Sequence, residues 1–110
     1  MKDLKSFGIN RTYDDFAKQI PITVRPHFNS IRDYCFSLGE NVVEDIRMHR
    51  IVFGKSMTFR WFADVSSLEN SIIVKIQKSR KEPPQKLEVD ATQDLVNIKK
   101  ILKEAFDTIR

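Results

Sequence analysis

Few residue types in this chain are suited to covalent or acid–base chemistry, and their spacing decides what they can do. Cys35 with His27 or His49 is the one thiol–imidazole combination, the pairing a nucleophilic thiol needs. Cys35, however, falls in register with Phe28, Ile31 and Leu38 at helical steps of three and four, so it reads as a small core hydrophobe. His49 alternates with Ile51 and Phe53 and reads as a structural or surface residue near a strand end. One cysteine and two histidines do not make a structural zinc site of the Cys-rich kind. Glu44 and Asp45, with Asp64, Glu69 and Lys75, invite a metal-dependent nuclease reading. The acid-x-lysine step such sites place on a strand is absent, because Ile73-Val74 precedes Lys75. Gly54-Lys55-Ser56 lacks the upstream glycine of a phosphate loop and reads as a turn. The expectation is a chain with no catalytic, metal or cofactor site.

A different constellation is more informative. Arg60 and Phe62, then Ile73, Lys75 and Gln77, share the second parity of two neighbouring strand-like runs, and Lys78, Arg80 and Lys81 follow directly. Basic and aromatic side chains on one sheet face suit single-stranded nucleic acid, through phosphate contact and base stacking. Apolar Phe62 and Ile73 rimmed by polar residues suit equally a protein partner or a second copy of the chain. A third reading is a solvated face, since antiparallel sheets commonly leave one side wet. These eight residues are the candidate interaction surface.

The elements that would position them are read from periodicity. Between Arg50 and Lys78 lie three runs rich in Ile, Val and aromatics, separated by Gly-Lys-Ser and Ser-Ser-Leu-Glu-Asn-Ser. In the middle run Met57, Phe59, Trp61, Ala63 and Val65 share one parity and are assigned to the core, whereas Thr58, Arg60, Phe62 and Asp64 share the other. Connectors this short join antiparallel neighbours. Residues 41–48 are read as a strand or extended entry to the sheet, with one more helical turn as the alternative. Leu87, Val89 and Ala91 predict a short edge strand after the charged SRKEPPQK loop, whose Pro-Pro pair excludes a central strand.

Thr12 is placed to cap a short helix that ends before Pro21. Pro26 opens a helix over about 27–38 that Gly39 stops, and Leu95, Ile98, Ile101, Leu102, Ala105, Phe106 and Ile109 form the stripe of a helix over about 93–109 that Thr92 or Asp94 caps. The fold class is therefore α+β: a two-layer domain in which a four- to five-stranded antiparallel meander carries the two longer helices on one face.

One hundred and ten residues suit one domain, 1–110, with 1–11 read as a loose N-terminal arm although Phe7 and Ile9 are able to dock. No apolar run approaches the roughly 18 residues of a membrane span, and the start has no signal-peptide core, so no membrane partner and a cytoplasmic setting are expected. A lone cysteine fits that reducing compartment. Charge is uneven. Residues 47–81 hold eight basic against two acidic residues, net +6, and the remainder holds eleven against thirteen, net −2. A localised excess of this kind attracts polyanions.

The segment Ser-Leu-Gly-Glu-Asn-Val at a helix end, the strand His-Arg-Ile-Val-Phe-Gly, an aromatic strand, a basic strand and a last helix ending Leu-Lys-Glu-Ala-Phe resemble a family of small uncharacterised domains of bacteria and archaea. Some of these are labelled predicted transport proteins, and the domain stands alone or is appended to nuclease-like regions. The resemblance spans residues 28–110 and includes no catalytic motif, so it carries over no site residue. It implies a small module and, through its nuclease-like neighbours, nucleic acid as a possible ligand. The function expected is a non-enzymatic interaction module that binds a protein or self-associates through the open sheet face, the alternative being weak nucleic-acid binding through residues 47–81.

Overall fold

The structure is a computed structural model, and it describes residues 12–55, 60–79 and 81–109. The expected N-terminal arm, Met57, Thr58 and Phe59 of the middle run, Ser56 and the candidate residue Arg80 lie outside the described residues. The chain forms α1 (Tyr13–Ala17), α2 (Arg25–Ser37), β1 (Val42–Ile46), β2 (Arg50–Lys55), β3 (Arg60–Leu68), β4 (Ser71–Ile76), β5 (Gln85–Asp90) and α3 (Val96–Thr108). The five strands make one antiparallel sheet in the order β1-β2-β3-β4-β5, as the short connectors require. Residues 42–46 are strand, the first of the two alternatives, and the edge strand is β5. Gly54 and Lys55, read as part of a turn, instead complete β2.

Local chemistry sets the helix ends. The Thr12 hydroxyl accepts from the Asp15 N–H at 3.1 Å, and Asp14 and Asp15 place negative charge at the positive end of α1. Pro26 lies in the first turn of α2, where its missing N–H costs nothing. At α3 the Asp94 carboxylate accepts from the Val96 N–H at 3.1 Å, while Thr92 donates both its N–H and its hydroxyl to Asp90. Neither expected residue is the N-cap: that position is Leu95, which makes no side-chain cap bond, while Asp94 meets the first helical N–H from one residue ahead and Thr92 serves the turn before it. Gly39 follows α2 without the left-handed φ of a helix-stopping glycine. Its role is space: a Cβ built there would stand 2.9 Å from Phe106 Cζ and 2.9 Å from Asn41 Oδ1.

The three helices pack on one face of the sheet, so the fold is α+β in two layers. Phe28, Ile31 and Cys35 of α2 and Ile98, Leu102 and Ala105 of α3 close over Ile51, Phe53, Ala63, Val65, Ile72, Val74, Ile76 and Val89. This alternation continues unbroken along β2 and β4, and it breaks in β3. Phe53 pairs with Ala63, but the next residue, Gly54, pairs with Trp61, so Phe62 is an extra residue on β3. Its carbonyl still accepts from the Gln77 N–H at 3.0 Å.

Such a bulge re-aims side chains by shifting the alternation by one. Phe62 and Ala63 both enter the helix-side core, each 0% exposed, and the Phe62 ring meets the Phe106 ring edge-on at 5.4 Å. Trp61 falls opposite Gly54 on the outer face and is half-buried. The period-two assignment is thus inverted for Trp61, given to the core, and for Phe62 and Arg60, given to the open face, whereas Ala63, Asp64 and Val65 keep their assigned side.

Phe62→Ala should cost ~3–5 kcal/mol, the range for a large buried aromatic, and Trp61→Ala about 1–2 kcal/mol because only part of the indole leaves water. Urea melts of the two variants check the order, and a larger loss for Trp61→Ala would return the indole to the core. In the same series Gly39→Ala should lose ~1–3 kcal/mol through overpacking against Phe106.

Candidate interaction surface

Directly paired residues share a face, so the strand registers define what the outer face presents. One cross-strand row reads Asp45, Val52, Asp64, Lys75, Lys86, and the row beside it reads Arg50, Ser66, Ile73, Glu88. Val43, Gly54 and Trp61 form a third. Among the described residues no helix lies on this side. Val52 and Ile73 are nevertheless 4% and 7% exposed, and they stand apart from the main core. Around them charges of both signs are mixed, with Lys75 paired to Asp64 on one side and to Lys86 on the other. Arg50 Nε lies 3.5 Å from Asp64 Oδ2, Arg47 Nε 3.0 Å from Asp45 Oδ2, and the Ser71 hydroxyl donates to Glu88 at 2.8 Å.

The seven candidate residues that are described do not converge. Ile73 and the exposed Lys75 lie on the outer face as expected. Phe62 is in the core. Arg60 pairs with Lys55, and Lys55 Nζ reaches across to the Ile109 carbonyl of the α3 end at 2.8 Å, so this pair belongs to the helix side. Gln77 lies past the end of β4 and donates to the Ser79 carbonyl. Lys78 turns to α3, 3.5 Å from Glu104, and Lys81 sits exposed in the following loop. Of the basic residues between 47 and 81, Arg47, Arg50 and Lys78 thus hold carboxylate partners and Lys55 a carbonyl. The candidate set missed Trp61, Lys86 and Glu88 as members of the outer face, and it left out Asp64 although the alternation had assigned that residue to this side. The signal for Lys86 and Glu88 was present in the alternation of the edge strand.

The residues considered for catalysis are likewise held apart. Cys35 is buried at 0% exposure, and burial pushes its thiol well above the ordinary thiol range. His27 lies eight residues earlier on the same helix, about 12 Å along its axis, and its Nε2 is 2.6 Å from the Gln93 carbonyl oxygen. His49 is exposed in the β1–β2 turn. Glu44 faces the helices while Asp45 faces outward, as adjacent strand residues must. Glu69 occupies the β3–β4 turn at φ 54°. Among the described residues no three His, Cys, Asp or Glu side chains cluster to hold a metal ion.

Glu44 has a structural use instead. It receives Arg32 Nε at 2.5 Å and Arg32 Nη2 at 3.1 Å, and the Arg32 guanidinium lies 3.9 Å above the Tyr13 ring. The hydrogen bond to Glu44 holds the Arg32 pKa above its usual value, and burial raises the Tyr13 phenol. This fork joins α1, α2 and β1, at a site the sequence pattern did not reveal.

No family model, curated protein or solved structure matches this chain. Among the described residues no helix is long and apolar enough to cross a membrane.

Cys35 supplies a pH test of this arrangement. Its folded pKa is raised, so its contribution to stability is full below the ordinary thiol value of ~8.5 and falls as pH rises beyond it, where only the unfolded thiol ionises. Cys35→Ala should flatten the alkaline limb of a stability–pH profile. The native wild type should resist a thiol-exchange reagent that modifies it fully in urea, and prompt modification of the native protein would place Cys35 at the surface.

Proposed function

We propose that this chain is a non-enzymatic interaction module of the cytoplasm that docks a protein partner on the outer face of its sheet. The observation that carries the reading is the composition of that face: Val52 and Ile73 at the centre, 4% and 7% exposed, Trp61 partly exposed beside them, and a surround in which Arg50, Lys75 and Lys86 are equalled in number by Asp45, Asp64 and Glu88. Apolar centres with mixed polar rims are the usual anatomy of protein interfaces. Five strands ~4.8 Å apart and about six residues long give a flat area of ~480 Å². Standard complexes bury ~800 Å² per partner, so a single face suits a transient contact.

Nucleic-acid binding is the second reading, favoured by the net +6 of residues 47–81. Three of those cations already hold carboxylates, and this lowers the number left for phosphates.

Two measurements separate the readings. A photo-crosslinking residue at Lys75 should yield a discrete protein adduct in cells that Ile73→Asp abolishes, while the same group at Lys100, on the exposed side of α3, should not. Equal adducts from both positions, or none from Lys75, would remove the outer face as the docking site. Fluorescence anisotropy with single-stranded oligonucleotides should show no binding at ~50 mM salt. Binding with a log–log salt slope near −3, the value for about four phosphate contacts, would instead establish the nucleic-acid reading.

A further inference from the structure

The sheet is open, and its two edges differ in chemistry. The β1 edge carries Glu44 and Asp45 on adjacent residues, and Glu44 is engaged by Arg32 from α2. Any antiparallel pairing of β1 with a second β1 centred on either residue sets two carboxylates opposite each other, which is destabilising. The β5 edge is different. Among the described residues β5 pairs only with β4, and Gln85, Lys86, Glu88 and Asp90 are exposed. Leu87, on the helix side, is only partly buried against the core.

We infer that β5 is a self-association edge, along which two copies of this chain pair antiparallel about Leu87 to make one continuous ten-stranded sheet. The register follows from charge. In an antiparallel pair centred on Leu87, Lys86 of one copy stands opposite Glu88 of the other, twice by symmetry, with Leu87 opposite Leu87 on the helix side. Centring the pair on Lys86 opposes two lysines, and centring it on Glu88 opposes two glutamates. Opposite charges directly across a ladder stabilise and like charges destabilise, so one register of the three is selected. Glu88 receives the Ser71 hydroxyl on Oε2 alone. An exposed lysine on an edge strand, and the Pro83-Pro84 pair just before it, ordinarily discourage indiscriminate edge pairing. Here the lysine also has a matching acid in this one register.

The pairing is isologous and keeps both helical layers on one side of the sheet, since directly opposed residues share a face. It also sets the two outer faces side by side, doubling the surface available to a partner. The inference does not rest on that use of the outer face: the edge pairs or fails to pair whatever the face binds.

Sedimentation equilibrium from ~5 to ~500 μM tests it, because a dimer is populated by mass action. Wild type should show a reversible monomer–dimer equilibrium. Lys86→Glu and Glu88→Lys should each weaken it roughly tenfold or more, since two attractive pairs become repulsive, and the double swap should restore it. Lys86→Glu is the stringent variant. Lys86 lies opposite Lys75 within the same chain, so the substitution creates an attractive pair there, and lost dimer cannot be ascribed to a weakened fold. Each variant is melted alongside to verify folding. A monomer at every concentration, or a dimer indifferent to the single swaps, would overturn the inference, whereas the crosslinking from Lys75 would stand or fall separately.

Discussion

The ring of Phe106 is where four parts of the chain meet. It projects from α3 against Phe62 in β3 in an edge-on pair, lies 4.4 Å beneath Lys55 Nζ at the end of β2, and comes so close to the backbone after α2 that a Cβ at position 39 would stand 2.9 Å from its Cζ. Each contact depends on the others. Phe62 reaches the ring only because the β3 bulge turns it to the helix side, and Lys55 crosses the ring to cap the Ile109 carbonyl at the end of α3. A cation at a helix C-terminus and over an aromatic face is favourable on both counts. The position of α3 on the sheet follows from this junction.

The same bulge determines what is left for binding. Had β3 kept its alternation, Phe62 would stand on the outer face as a phenylalanine anchor among basic residues, a suitable platform for a nucleobase. With Phe62 withdrawn, the aromatic side chain on the outer face among the described residues is Trp61 beside Gly54, and the charges around it are mixed. A chain whose central segment is strongly basic therefore presents an outer sheet face with local charge balance. Net charge along a segment is poor guidance when antiparallel pairing sets acids from one strand against bases from another.

The elements themselves were legible because hydrophobic periodicity is a local property. The stripe Leu95, Ile98, Leu102, Ala105 and Ile109, the Thr12 cap, Pro26 in a first turn and the alternation of Ile72, Val74 and Ile76 each need only a few neighbouring residues to be read. The inserted residue at Phe62 was not legible. It exists only relative to the register of β2, and β3 alone reads as an unbroken alternation. For the same reason Gly39 looked like a helix stop: its true constraint is a ring 67 residues away. The Arg32–Glu44 fork was equally hidden, since nothing local distinguishes Glu44, which faces the helices, from Asp45, which does not.

The central claim is that Phe62 faces α3 and Trp61 faces away from it. Nuclear Overhauser contacts among the aromatic side chains address this directly in the folded protein, where the sole tryptophan gives an unambiguous indole signal. The account predicts strong contacts between the ring protons of Phe62 and those of Phe106, and none between the Trp61 indole and any α3 side chain. Indole contacts to Phe106 or Leu102, with the Phe62 ring free of α3, would show that β3 runs without its bulge and that the two faces of the sheet are exchanged at this end.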